Sequence, residues 1–279
     1  IQMEGGDGSD ITIRYGKGRS KLHTLSPADF PVQQDLAVLR SFKCQQMDLS
    51  KMLLQIVYAA SKDDSRKVLN GILFNVKENN FTVVATDGKR LALAEKHMDN
   101  QHGWEGDCII PAKTASELQR ILDKQGETVI EIGESQARFT IGRTVMLSKL
   151  VEGNYPNFRQ VIPTSFSRKF EVATEDFLSA MRRVVIHVSD TSTFVKMTVG
   201  QNVLQLSAVS NEVGEGEEKL DVNYPGNELV VSFNPQFLME PLKVVDADKT
   251  IFQMNEGYSP VMLSAGEGFL YVIMPVRTK

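Results

Sequence analysis

Cysteine and histidine are scarce in this 279-residue sequence, and no long apolar run interrupts it. The two cysteines, Cys44 and Cys108, form no CxxC pair and no framework of bridges, which excludes a disulfide-stapled secreted scaffold and fits a reducing cytoplasm. As isolated thiols they read as core residues. The four histidines, His23, His97, His102 and His187, show no HxxxH spacing and have no neighbouring cysteine, so they offer no zinc site and are assigned to core or surface structure. No apolar stretch approaches the roughly 20 residues that a bilayer-spanning helix needs. The opening Glu4-Gly5-Gly6-Asp7-Gly8-Ser9-Asp10 is too polar for a signal peptide and lacks the amphipathic pattern of a transit peptide. The chain starts on Ile1, so an upstream segment is expected to have been removed or left out. Positive charge is not in surplus either. With a formal net charge of −4, any role on nucleic acid rests on a local basic surface rather than on overall attraction.

Signs of convergent catalytic groups are also missing. There is no GxSxG or comparable nucleophile setting. Gly16-Lys17-Gly18-Arg19-Ser20 lacks the GxxxxGK[ST] spacing of a phosphate loop and leads into alternating strand residues, so it reads as a hairpin turn. The acidic stretch from Glu212 to Glu218 lacks the alternating ligands and closing Glu of a calcium loop, and reads as a solvated loop. No catalytic residue, metal or cofactor is assigned.

What is present is the make-up of a globular protein, 42% hydrophobic and 24% charged, long enough for two domains with their own cores. Laid on itself about 128 positions apart, the chain repeats. Phe42, Cys44, Asp48, Leu49, Leu53, Ile56 and Val57 fall opposite Phe170, Val172, Asp176, Phe177, Met181, Val184 and Val185. Each copy opens with a strand, then an Asp placed to cap an amphipathic helix. Farther on, residues 80–85 resemble 203–208, and the helical stretch 111–122 resembles 234–245, where Pro241 should kink or shorten the later helix. Short alternating strands lie between, punctuated by Glu78-Asn79-Asn80, Asp87-Gly88 and Gly200-Gln201-Asn202. Leu22, Leu25 and Phe30-Pro31 fall opposite Leu147, Leu150 and Tyr155-Pro156. Residues 1–36 therefore look like the tail of an earlier copy without its head, or else an unrelated hairpin.

Helices in one layer and strands in the other make an α+β domain. In the 112–124 segment, Lys113, Arg120 and Lys124 share a face opposite Leu118, Ile121 and Leu122, and Arg182 and Arg183 lie opposite Phe177, Met181 and Val184. A merely solvated face explains this equally well. Two stretches are less ordinary. In Thr86-Asp87-Gly88-Lys89-Arg90-Leu91 a Gly in the turn permits close backbone approach, though a plain hairpin turn would do the same. Val272-Ile273-Met274-Pro275-Val276-Arg277 stays apolar almost to the chain end, which calls for a groove, a partner or a place as a buried edge strand.

These stretches carry a resemblance. Leu69-Asn70-Gly71-Ile72-Leu73-Phe74, Val84 through Leu91, Ser148-Lys149-Leu150-Val151-Glu152-Gly153-Asn154-Tyr155-Pro156, Phe233-Asn234 and Tyr271 through Arg277 together resemble the beta subunit of bacterial DNA polymerase III, the sliding-clamp family. The resemblance implies tandem clamp domains, each with antiparallel sheets outside and two helices on an inner face. Residues 1–36 would be the C-terminal remnant of domain I, 37–163 domain II and 164–279 domain III. It implies a non-catalytic processivity factor that encircles duplex DNA as a head-to-tail homodimer and docks the polymerase III catalytic subunit, the clamp loader and repair proteins bearing a short glutamine-and-hydrophobic motif. The docking pocket between domains II and III would be walled by Arg66, Leu69, Thr86, Gly88, Lys89, Arg90, Leu91, Pro156, Val161, Asn234, Phe237, Tyr258, Pro260, Val272, Met274, Pro275, Val276 and Arg277. Lys67, Lys113, Arg120, Lys124, Arg182 and Arg183 would give a sequence-indifferent lining toward DNA phosphates. Val276 stands where the family often has Met, and Thr278-Lys279 replaces the common ending in Leu. Without the head of domain I the fragment is expected not to close the normal ring, and to act as a peptide-binding module.

Overall fold

A computed structural model describes residues 1–5, 10–30, 35–98, 105–190 and 192–277, which fall into two units, 1–36 and 37–279. His102 and Thr278-Lys279 lie outside the described residues. The first unit is a three-stranded antiparallel sheet of β1 (Gln2–Gly5), β2 (Asp10–Tyr15) and β3 (Gly18–His23). Its β2–β3 hairpin turns at Gly16-Lys17, with Gly16 at φ +53°, a left-handed conformation that costs glycine nothing.

The second unit runs twice through one order of elements. The first copy has β4 (Arg40–Gln45), α1 (Gln46–Ile56), β5 (Gly71–Lys77), β6 (Asn80–Thr86), β7 (Arg90–His97), β8 (Gly106–Pro111), α2 (Ala112–Ile121), β9 (Glu127–Ile132), β10 (Gln136–Ile141) and β11 (Thr144–Lys149). The second has β12 (Arg168–Ala173), α3 (Thr174–Val184), β13 (Val195–Gly200), β14 (Val203–Ser210), β15 (Gly214–Asp221), β16 (Leu229–Phe233), α4 (Pro235–Leu242), β17 (Lys249–Met254), β18 (Val261–Ser264) and β19 (Phe269–Ile273). The sequence repeat is thus a structural one. β1-β2-β3 has the antiparallel order of the last three strands of either copy.

The two copies share a sheet. β7 pairs with β19, which fuses strands of both into an eight-stranded sheet of order β12-β17-β18-β19-β7-β6-β5-β8; β11-β10-β9-β4 and β15-β14-β13-β16 form four-stranded sheets. The central strands are apolar on both faces because both are covered. One face carries the main core, where Leu49, Leu53 and Ile56 of α1 meet Phe74, Phe81 and Phe139, and Phe177 of α3 meets Phe170 and Phe252. The other face carries a smaller cluster of Leu73, Val84, Leu91, Ile109, Phe158 and Val272.

Three expectations need correction and a fourth holds. Asp48 and Asp176 do not cap their helices: the cap positions are Gln45 and Ala173, and each Asp sits in the first turn, where its carboxylate meets the positive end of the helix dipole. The second helix of the first copy ends at Ile121, so Lys124 lies beyond it, and Ile121 is 38% exposed rather than facing the core. The acidic stretch from Glu212 is largely strand: β15 pairs along its length with β14, and as an edge strand it tolerates exposed carboxylates that a central strand would not. Pro241 behaves as anticipated, since α4 has 8 residues against 10 in α2, with Asn234 accepting from the Gln236 amide at 2.9 Å to cap it.

Candidate docking pocket and basic faces

The β6–β7 turn is built by one carboxylate. Asp87 Oδ1 accepts from the amides of Lys89 (2.9 Å) and Arg90 (3.0 Å), while Thr86 Oγ1 accepts from the Gly88 amide at 3.1 Å. Gly88 takes φ +85°, and a Cβ there would meet Arg66 Nη1 at 3.1 Å. Arg66 closes over the turn by donating to the Asp87 carbonyl at 3.4 Å, and its own carbonyl accepts from Leu69. The C-terminal stretch is bound to the same turn: the Met274 amide donates to the Lys89 carbonyl at 2.9 Å, and that of Val276 to Ser232 at 2.7 Å. Val272 lies directly opposite Leu91 in the β19–β7 ladder. Arg66, Leu69, Thr86, Gly88, Lys89, Arg90, Leu91, Val272 and Met274 are therefore one neighbourhood, drawn from both copies, and Pro275, Val276 and Arg277 continue the chain from it.

Arg90 extends it to α4. The residue is 7% exposed, donates Nε to Asp87 Oδ2 (3.0 Å) and Nη2 to the Tyr58 carbonyl (2.7 Å), and bonds Glu240 through Nη1. Its guanidinium stands 4.2 Å from the centre of the Phe237 ring. Burial is the largest single influence and works against its charge, but the bond to Glu240, the Glu240 charge and the contact with Tyr271 together outweigh it and hold its pKa above the ordinary value. Burial also raises the hydroxyls of Tyr58 and Tyr271, keeping both neutral; Tyr271 donates to the Phe237 carbonyl at 2.8 Å. Asn234 and Phe237 thus join the group through α4.

Pro156 and Val161 reach it through the connecting segment, where Tyr155, Phe158 and Ile162 pack on the smaller apolar cluster and leave Val161 49% exposed. Tyr258 and Pro260 lie in the β17–β18 connection, Tyr258 exposed, with Met262 packed on that cluster. Met274 is 42% exposed, an accessible apolar side chain above a buried apolar floor. Several contributors were missed from sequence. Asp87, Tyr58 and Glu240 hold Arg90, and Val68, Leu93 and Met262 pack beside Leu91 and Val272. The apolar runs within β5 and β6, read from sequence as alternating strands, are the signal of a sheet covered on both faces, but nothing local points to Glu240.

The six basic residues do not form one helix face. Lys113 and Arg120 are exposed on α2, Arg120 paired with Glu117 at 3.2 Å. Lys124 follows the helix, and Lys67 stands in the 3-10 turn Lys67–Asn70 that also carries Leu69. Arg182 is exposed in the last turn of α3, whereas Arg183 is gripped by Glu218 of β15 at 2.7 and 2.9 Å. Met47 and Leu54 of α1 are exposed apolar residues. Among the described residues no group of three or more His, Cys, Asp or Glu is arranged to hold a metal, and no helix is long and apolar enough to cross a membrane. Loss of surrounding water pushes the Cys44 and Cys108 thiols up to about 12, so neither supplies a thiolate nucleophile near neutrality.

Residues 43–157 match the DNA polymerase III beta subunit, central domain, and residues 159–277 its C-terminal domain. The beta sliding clamp of Chlamydia muridarum is 30% identical over 277 residues, spanning 99% of this chain and 76% of that protein. The chain belongs to the beta sliding clamp family. It is likewise 30% identical to the beta sliding clamp of Escherichia coli K12 over 280 residues, which cover 99% of this chain and 75% of that one. The crystal structure of the DNA polymerase III subunit beta from Pseudomonas aeruginosa superposes with a TM-score of 0.92 at 27% identity, covering 99% of this chain and 76% of that one. The Bartonella birtlesii sliding clamp bound to griselimycin gives 0.90 at 31% identity, over 98% and 75%. The fold is the sliding-clamp fold and the function that of a DNA sliding clamp in replication.

Proposed function

We propose that the chain is a non-catalytic cytoplasmic processivity factor whose docking pocket lies where its two copies meet. Residues 37–163 and 164–279 act as clamp domains II and III, and 1–36 as the C-terminal part of a domain I. The observation that carries the pocket is the convergence of the Asp87-Gly88 turn and the Met274 strand on the apolar floor of Leu91 and Val272, with α4 joined to the same turn through Arg90, whose guanidinium meets the Phe237 ring. A concave apolar site with a few oriented polar groups suits a short peptide whose large apolar side chains supply affinity and whose amide or carboxyl groups fix register. The partners are the polymerase III catalytic subunit, the clamp loader and other proteins with a glutamine-and-hydrophobic motif.

In a closed ring of this family duplex DNA is held by enclosure more than by affinity, and this chain contributes helix faces to that lining. With Arg183 and Arg120 engaged by Glu218 and Glu117, the exposed helix faces offer little net positive charge, which favours sliding over gripping. Head-to-tail association of two copies is supported by the sheet edges. β3 carries Arg19 and β15 carries Glu215 and Asp221, and both are edge strands among the described residues, while Lys21 and His23 are engaged by Asp10 and Glu217 by Lys219. Such complementary edges suit pairing with a second molecule.

Binding of a fluorescent peptide with a glutamine followed by large apolar residues tests the pocket. Met274→Ala and Arg90→Ala should each weaken it about tenfold or more, as central contacts do; unchanged affinity in both would defeat the assignment.

A further inference from the structure

Arg90 has more partners than its charge requires. Asp87 already supplies a carboxylate, and it is held in the turn by the Lys89 and Arg90 amides whether or not anything else is near. The second carboxylate, Glu240, comes from α4 in the other copy. Glu240 and Phe237 are three residues apart, neighbours on one face of that helix, and the Arg90 guanidinium meets both. A guanidinium bonded at Nε and Nη2 alone would be tied only to the first copy. The Nη1 bond is what fastens it to α4 and lays it over the Phe237 ring.

We infer that Glu240 is a positioning residue of the docking pocket: by accepting from Arg90 across the seam between the copies, it fixes the Phe237 ring as a wall for the partner's apolar side chain. This rests on the pocket reading above. Glu240 is itself a third exposed, so the rival is that its carboxylate touches the peptide directly.

Gln and Met at this position separate the two. Both match Glu in length, but only Gln keeps an oxygen to accept from Arg90. Affinity for the fluorescent peptide should fall about tenfold in Glu240→Met and stay within about twofold in Glu240→Gln, as expected when a bond to a charged group is lost or kept. Thermal melting of each variant is recorded alongside. Should Glu240→Met fail to fold, Glu240→Ala takes its place with the same expected outcome. Unchanged affinity without the acceptor would overturn the inference. So would an equal loss in the Gln variant, because charge on the peptide would then be what Glu240 supplies. Absence of binding by the unaltered chain would instead overturn the pocket reading, and this inference with it.

Discussion

Leu91 and Val272 face each other across the β7–β19 ladder, 2% and 3% exposed, one from each copy of the repeat. The strand joint and the floor of the proposed pocket are therefore made of the same pair. Leu91→Asp or Val272→Asp would place a carboxylate in an apolar cluster with nothing to pair it, at a cost of about 2–5 kcal/mol. The expected result is a lower melting temperature and weaker peptide binding together. A variant that melts early yet binds normally in the cold would separate the two roles.

Alkaline pH should weaken the fold through Cys108. Its thiol, 7% exposed, is pushed from the ordinary 9.0 up to about 12. In that window the folded chain holds a proton that the unfolded chain has released, so the thiol's contribution is full below about pH 9 and is lost as pH rises to about 12. Urea midpoints should fall across this range and fall less in Cys108→Val. Equal slopes in the two proteins would contradict the assignment.

Freeing a cation should strengthen contact with duplex DNA. Arg183 is held by Glu218, so Glu218→Gln releases a positive charge at the end of α3. Affinity for a short duplex at low salt should rise, and the dependence on salt should steepen by about one unit of slope. Lys113→Ala should act in the opposite direction. No change with either would remove these helices from the DNA-facing surface.

Ile186, 68% exposed in the turn after α3, lies beside the acidic edge strand β15. If that edge pairs with a second molecule, Ile186→Asp adds charge where apolar surface should be covered, and the mass in solution should drop toward the monomer. Sedimentation at matched concentrations checks this; an unchanged distribution would place self-association elsewhere.

Much of the architecture was legible because helical periodicity recurs in both copies: Leu49, Leu53 and Ile56 match Phe177, Met181 and Val184 in sequence and in burial. The strand β15 was not, because Gly and Glu have low strand propensity and the partner strand that stabilises them is invisible locally. The helix starts were misjudged by a few residues because a carboxylate satisfies the first turn nearly as well as it caps it. The Gly88 turn and the Met274 stretch of the proposed pocket stood out through turn chemistry and an unusual terminus. Its clasp did not, since Glu240 is an ordinary surface residue of α4 until the fold brings Arg90 to it.

A sheet owned by two copies also decides where such a molecule yields under load. Separating the copies would break the whole β7–β19 ladder and uncover Leu91 and Val272 at once, so that seam resists and fails only as a unit. At the outer edges, β3 and β15, no covalent chain continues the sheet into a second molecule. If two such chains pair through these edges as proposed, that joint would part first, leaving the proposed docking pocket intact.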